Sequence, residues 1–199
     1  MKQTIIIICL VAWLAPLHAQ NPVVAWNTAG DDFSAQPNRK EGGWFLSRMM
    51  GGTTSLHRAI DMQSAPLPLT IERSPNGRSV CCLTVSDQGE AYAVAYLMGN
   101  RQAFAAVHRA YVAGNTVTLG EPLESTTGDW FTSFPAISPD GSRMVVVSDR
   151  PAGAGGTDLW VLSKQVDGTW SQPQHAGEAI NSPSDETTPF FVSNDTLLF

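Results

Sequence analysis

The chain has 199 residues, of which 43% are hydrophobic and 15% are charged, and its formal net charge is −6. The acidic balance excludes a basic nucleic-acid binder, and the low charge argues against disorder. A chain of this length buries enough surface to fold without disulfides or metals.

The first 19 residues are typical of a secretory signal peptide. Lys2 supplies the positive start, Thr4–Leu14 is an apolar stretch too short for a folded membrane anchor, and Ala19 ends a cleavage-like site. We therefore expect export, with residues 20–199 as the mature chain; an uncleaved N-terminal anchor is the alternative. No later segment of the sequence is apolar enough to span a membrane.

A turn followed by a short apolar strand recurs along the mature chain, and such repetition is the first signal to seek. Ser-Pro-Asn-Gly at 74–77 precedes the apolar run 80–85, Ser-Pro-Asp-Gly at 138–141 precedes 144–147, and Ser-Asn-Asp-Thr at 193–196 precedes 197–199. A fainter first copy is predicted at 33–47, where two glycines precede Trp44. In these turns Pro presets φ, Asp bonds back to the backbone and Gly takes positive φ.

The copy that starts at Ser138 is the most complete. A Gly-rich turn over 149–157, a second strand at 159–162 and a tight turn at 167–168 leading into Trp170 follow its first strand. About four short strands per roughly 50 residues is the layout of a β-propeller blade. The sequence therefore predicts an all-β fold built of four-stranded antiparallel blades.

Two features of the second copy each allow two structural interpretations. The adjacent Cys81 and Cys82 lie in a predicted strand, so we expect them on opposite faces as two small, buried, reduced residues; a vicinal disulfide is the alternative. The Ala-rich segment 91–113 could be a helix. Its alternating Tyr and Val residues and the Gly-Asn pair at 99–100 favour a hairpin.

These repeats resemble the WD40-like repeat of TolB-type β-propellers. The match is specific over 129–199, with the best blade at about 129–182, and weak over 27–128. The residues that carry it are Phe134, Pro135, Ser138, Pro139, Asp140, Gly141, Ser148, Asp149, Arg150, Gly155, Gly156, Asp158, Trp160, Gly168, Trp170 and Pro173.

The resemblance implies a function outside catalysis. Relatives of this kind are often envelope proteins of Gram-negative bacteria, and many place the repeats before an OmpA-like peptidoglycan-binding domain. We expect an exported, non-catalytic scaffold in the periplasm or at the outer membrane that binds protein or peptidoglycan-associated partners and needs no cofactor. The alternative is the N-terminal propeller of a larger serine peptidase, since several peptidases carry similar propellers.

The mature chain holds about three to four blades, whereas closed propellers usually need four to eight. Phe199 falls inside a predicted strand. We therefore expect an incomplete propeller that is part of a longer protein; a short form that closes by self-association is the alternative.

Other patterns in the sequence resemble functional motifs but do not predict a site. The segment 153–158 nearly fits a calcium repeat, but one defective copy favours a tight turn in which Asp158 bonds the backbone. The chain has no Gly-x-Ser-x-Gly elbow, and His57, His108 and His175 lack partners at ligand spacing. We predict no catalytic, cofactor or metal residues. The tryptophans are expected mainly in the core between blades, with an aromatic binding rim as the alternative.

Overall fold

The computed structural model describes residues 26–73, 79–98 and 103–199. These residues form β-strands, turns and one 3-10 turn at Glu124–Thr126, and they contain no α-helix. The predicted signal peptide, the turn at 74–77 and the Gly-Asn pair at 99–100 lie outside the described residues.

The strands form three large sheets and a pair, in chain order. The first sheet contains β1 (Asp31–Pro37), β2 (Trp44–Met50), β3 (Thr53–Ala59) and β4 (Leu67–Pro68). The second contains β6 (Ser79–Val85), β7 (Ala91–Met98), β8 (Ala103–Ala113) and β9 (Thr116–Pro122), with β5 (Thr70–Glu72) added parallel to β9. The third contains β10 (Thr132–Ile137), β11 (Arg143–Ser148), β12 (Asp158–Ser163) and β13 (Gln174–His175), and β14 (Phe190–Ser193) pairs with β15 (Thr196–Leu198).

Every sheet is an antiparallel meander of consecutive strands, apart from the added β5. Three buried clusters each take residues from two neighbouring sheets and so join the sheets in succession. The first cluster joins Phe45 and Leu56 to Val80 and Leu83. A second cluster joins sheets two and three, and a third joins sheet three to the last pair. The predicted fold class is confirmed: the chain forms three blades of an all-β, incomplete propeller and the first two strands of a fourth.

A left-handed residue recurs once per blade, in the first strand of the first three blades and just before the first strand of the fourth. Ser34, Cys82, Phe134 and Thr188 adopt positive φ angles of 52°, 57°, 48° and 50°, and they stand 48, 52 and 54 residues apart. In the first three blades the pairing register shifts at this point. Because non-glycine residues rarely take this conformation, the bulge identifies equivalent positions better than side-chain identity does.

The bulge corrects the predicted register of the second repeat. The turn at 138–141 begins four residues after the left-handed Phe134, and the segment 86–89 begins four residues after the left-handed Cys82. The equivalent turn in the second blade is therefore 86–89, between the first and second strands, and not the predicted turn at 74–77. Gly89 N–H donates to Ser86 O at 3.0 Å, as Gly141 N–H donates to Ser138 O at 2.9 Å. Sequence reasoning missed this turn because Asp87 and Gln88 replace Pro and Asp.

The Ala-rich segment forms the predicted hairpin, and the helix alternative is wrong. Strands β7 and β8 pair from Ala91↔Ala110 to Met98↔Ala103. Tyr92 and Val94 enter the second cluster, whereas Ala91, Ala93 and Ala95 enter the first. Strand alternation thus serves two interfaces at once.

The prediction for the two cysteines is wrong in one respect. Both thiols are buried and free, as expected, but Cys81 and Cys82 lie in the same cluster between the second and third blades. The bulge at Cys82 cancels the alternation that would otherwise place them on opposite faces.

Candidate binding cleft

The sequence motif of the third blade is spread along that blade and does not converge on one site. Phe134 and Pro135 lie at the bulge of β10. The other motif residues lie in three connections and on β11 and β12: Ser138, Pro139, Asp140, Gly141, Ser148, Asp149, Arg150, Gly155, Gly156, Asp158, Trp160, Gly168, Trp170 and Pro173.

The β10–β11 turn is held by its own side chains. Ser138 Oγ donates to Asp140 Oδ1 at 2.6 Å, and the Ser142 amide donates to the same oxygen at 2.9 Å. Partial burial would raise the pKa of Asp140, but hydrogen bonds from Ser138 and Ser142 outweigh it and hold this pKa below its ordinary value.

Equivalent turns are also linked from blade to blade. Asn38 bridges to Val85, the amide of Asp87 donates to Pro139 O at 2.9 Å, and the amide of Asp140 donates to Asn194 Oδ1 at 3.0 Å. The turn motif therefore acts structurally, because it ties neighbouring blades together.

The Gly-rich turn is organised by Asp158, which is buried. Its carboxylate accepts hydrogen bonds from the amides of Ala154 at 3.1 Å and Gly155 at 3.3 Å. This arrangement is the tight turn that the sequence favours over a calcium loop. Within the described residues, no group of three His, Cys, Asp or Glu side chains could hold a metal ion.

The Ser-Asp-Arg motif fastens the entry of the third blade. Asp149 Oδ1 accepts from the Phe131 amide at 2.7 Å. The guanidinium of Arg150 lies 5.2 Å from the ring centroids of both Trp130 and Trp160, and burial lowers the pKa of Arg150. Cation–π contact on two rings stabilises this corner of the blade.

Two other tryptophans face a different environment. Trp26 and Trp44 contact each other edge-on, with ring centroids 6.0 Å apart, on the face of the first blade that points away from the second. No later blade in the described residues covers this face. It forms one wall of a cleft whose other wall is the start of the fourth blade.

The cleft has a volume of about 600 Å³ and a mainly apolar lining that includes four aromatic side chains. Phe33 and Phe190 complete the aromatic set that Trp26 and Trp44 begin. Polar groups are placed among them, and the full lining is Trp26, Asn27, Asp32, Phe33, Ser34, Ala35, Gln36, Trp44, Leu46, Thr188 and Phe190. Of these residues, only the tryptophans are candidates for a binding rim on sequence grounds.

The two walls are joined at the inner strands. Gln36 Nε2 donates to Pro189 O at 3.1 Å, and Arg39 Nη2 donates to Phe191 O. The guanidinium of Arg39 also lies 6.0 Å from the Phe190 ring centroid. These contacts define the relative position of the walls without filling the space between them.

An ion pair sits on the wall formed by the first blade. Arg48 Nε lies 2.6 Å from Asp32 Oδ1, and only 13% and 15% of these two side chains are exposed. Asp32 also accepts from the amide and hydroxyl of Thr28 at 2.8 and 2.9 Å. Burial would raise the pKa of Asp32, but hydrogen bonds from Arg48 and Thr28 outweigh it and lower this pKa.

A buried histidine lies behind the ion pair. His57 Nδ1 is buried and has no hydrogen-bond partner. Burial lowers the pKa of His57, and the positive charge of Arg48 lowers it further. The imidazole is therefore neutral near pH 7, and the charges at this wall are those of Asp32 and Arg48.

Antiparallel blades that pack face to face around their first strands are the architecture of a β-propeller. Among solved structures, the chain is similar to TolB from Acinetobacter baumannii, with a TM-score of 0.52, 10% identity, and coverage of 86% of this chain and 37% of that one. Its fold is therefore that of a TolB-like β-propeller.

A further similarity is to a puromycin hydrolase structure, with a TM-score of 0.49, 16% identity, and coverage of 86% of this chain and 27% of that one. The chain thus spans well under half the length of both structures. No protein-family model and no curated protein matches it. No described segment forms a helix able to reach across a bilayer.

Proposed function

We propose that this chain is the propeller part of an exported, non-catalytic binding protein of the bacterial cell envelope. Residues 1–19 would direct export, and residues 20–199 would form a partial propeller ahead of further sequence, for which an OmpA-like peptidoglycan-binding domain is the candidate. The observation that carries the proposal is the open cleft lined by Trp26, Trp44, Phe33 and Phe190.

The chemistry of the cleft suits a protein or peptidoglycan-associated partner. Trp is enriched at binding hot spots because it combines a large apolar surface with a polar N–H. Asp32, Ser34 and Asn27 add polar groups that can orient an incoming chain. The negative net charge favours a neutral or basic partner over an acidic one.

Site-specific photo-crosslinking tests the proposal. Ala35 is exposed and lines the cleft, so Ala35→p-benzoylphenylalanine places a reactive group inside it. Val166 is fully exposed in the β12–β13 connection, and the same substitution there is the matched control. The probes are envelope protein extract and purified peptidoglycan from the source bacterium.

We expect a discrete crosslinked product from position 35 that is absent from position 166. Adding Trp44→Ala, with folding verified by circular dichroism, should remove that product. The same products from both positions, or a product that persists in folded Trp44→Ala protein, would assign binding elsewhere and overturn the cleft proposal.

The peptidase alternative stays a prediction about sequence outside this chain. A fluorophosphonate probe applied to the full-length protein separates the two functions, because it labels activated serine nucleophiles. Labelling would contradict the non-catalytic proposal, and no labelling under conditions that label a known serine hydrolase would support it.

A further inference from the structure

The two cysteines form a pair of neighbouring thiols in the interior that the binding function does not use. Cys81 Sγ and Cys82 Sγ lie 2.7 Å apart, and both residues are almost wholly buried, with exposed fractions of 1% and 0%. The pair lies between the second and third blades, in a cluster that also contacts Phe33 of the cleft lining.

The bulge causes this proximity. In a regular strand, consecutive side chains point to opposite faces, so adjacent cysteines cannot meet. Here the left-handed conformation of Cys82, with φ of 57°, turns both thiols toward the same cluster. The amide of Cys82 donates to Ser47 Oγ at 2.8 Å, which holds the bulge in place from the first blade.

The other blades share the left-handed conformation but not the thiols. The residue pairs at the equivalent positions are Phe33–Ser34, Ser133–Phe134 and Thr187–Thr188. The backbone conformation is thus a feature of the repeat, and the second blade alone places two sulfur atoms on it.

The geometry fits bond formation better than metal binding. Two thiolates that share a tetrahedral zinc ion at about 2.3 Å each stand roughly 3.8 Å apart, which is wider than the contact here. A disulfide bond of about 2.05 Å requires only a short approach of the two sulfur atoms.

We propose that Cys81 and Cys82 are a reversible oxidation site, where a vicinal disulfide forms by thiol–disulfide exchange. The oxidant is a disulfide, either a protein of the dithiol oxidoreductase class or a small-molecule disulfide. One cysteine thiolate attacks the oxidant, releases one thiolate from it and forms a mixed disulfide. The second cysteine thiolate then attacks its neighbour's sulfur and releases the second thiolate, so two electrons pass to the oxidant and two protons to solvent.

The site should be labile once oxidised. The Cα atoms of adjacent residues are about 3.8 Å apart across a trans peptide, which is below the 4.4–6.8 Å that unstrained disulfides span. Strained disulfides are more easily reduced. The inference goes beyond the proposed binding function and holds whatever the cleft binds.

The timing of oxidation follows from burial. Burial raises the pKa of the Cys81 thiol well above its ordinary value, and neither sulfur is reachable from solvent in the packed protein. Oxidation therefore precedes the packing of the second blade against the third, or requires their local separation.

Peptide mapping of the full chain tests the proposal. The reduced protein is unfolded, refolded with oxidised and reduced glutathione, treated with iodoacetamide in denaturant, and digested with trypsin. Cleavage after Arg78 and Arg101 isolates both cysteines in one peptide, which excludes any signal from Cys9. We expect this peptide about 2 Da lighter than its reduced form and unalkylated, with two alkyl groups added only after reduction.

Three results would overturn the proposal: two alkyl groups on the peptide without reduction, a stable mixed disulfide with glutathione, or an intermolecular disulfide. A second measurement tests the role of burial. Disulfide formation in the already folded, reduced protein should be at least about tenfold slower than during refolding, and equal rates would contradict the buried geometry.

Discussion

The ion pair on the wall of the cleft gives the sharpest test of the structure. Asp32→Asn removes the negative charge beside Arg48 but keeps the size of the side chain. The Asp32 carboxylate accepts hydrogen bonds from Arg48 and from both the amide and the hydroxyl of Thr28. A neutral amide has one oxygen acceptor and cannot replace this set.

The cost can be bracketed from the burial of the pair. Exposed pairs contribute about 0–1 kcal/mol, whereas breaking a buried pair costs about 3–5 kcal/mol. With 15% of the Asp32 side chain exposed, we expect Asp32→Asn to lower the free energy of unfolding by about 1–3 kcal/mol at pH 7. Arg48→Met added to it should recover part of this loss, because the uncompensated charge is then removed.

The stabilisation by Asp32 should depend on pH in a defined direction. The pKa of Asp32 is depressed in the folded state, so its stabilisation is present above pH ~4, the ordinary value of an unfolded Asp, and is lost as the pH falls through the folded pKa. Urea unfolding of wild type and Asp32→Asn between pH 2.5 and 7 measures this. The difference should shrink toward the acid end.

The matched control is Asp31→Asn, which makes the same change of charge at the exposed neighbouring position. It should shift stability by less than about 0.5 kcal/mol. If Asp32→Asn costs no more than Asp31→Asn, or costs the same at pH 2.5 as at pH 7, the ion pair does not stabilise this wall and the reasoning fails.

Three further outcomes can be checked by chemical or thermal unfolding. Trp170→Phe leaves the buried Tyr92 hydroxyl without its 3.0 Å donor, so a loss of about 1–3 kcal/mol is expected, and Tyr92→Phe should show a similar loss; stability unchanged in both would refute the bond. Ser34→Gly relieves a left-handed conformation that costs about 1–2 kcal/mol and should be neutral or stabilising, whereas Ala35→Gly in the same strand should destabilise. His57 has a depressed pKa in the folded state, so the free energy of unfolding falls as the pH drops below about 6.5. In His57→Gln the urea midpoint should change less between pH 7 and 5 than it does in wild type. The same change in both proteins would contradict this expectation.

The sequence predicted the existence of the repeat more clearly than it predicted which positions are equivalent from blade to blade. Turn chemistry at 138–141 and the alternation of Tyr92 and Val94 with alanines were local signals, and both elements formed as predicted. The bulge was invisible because Ser34, Cys82, Phe134 and Thr188 share no side-chain property. Tertiary packing imposes their left-handed conformation, and only a glycine at these positions would have predicted it from the sequence.

The cleft could not be predicted for a related reason. Its lining comes from the beginning of the first blade and the beginning of the fourth, more than 150 residues apart, as the Gln36–Pro189 hydrogen bond shows. Trp26 and Trp44 indicated an aromatic surface, but nothing near them in sequence distinguishes them from Trp160 and Trp170, which pack in the cluster between the second and third blades. Only the blade order shows which pair has a partner blade in the described residues and which lines open space.

Equivalent positions in the three blades show how the repeat separates structure from function. Two residues before the left-handed position, the second blade has Val80 with Ala95 and the third has Thr132 bonded to Ser148 at 3.1 Å. The first blade has Asp32 with Arg48. All three blades have a register shift between their first two strands, whereas the side chains at this position differ with the surface that each face contacts. A face that packs against another blade gains from apolar or hydroxyl pairs, because a buried charge pair there offsets its desolvation poorly. The charged pair occurs in the first blade, where Asp32 lines the cleft and no other blade of the described residues packs against it.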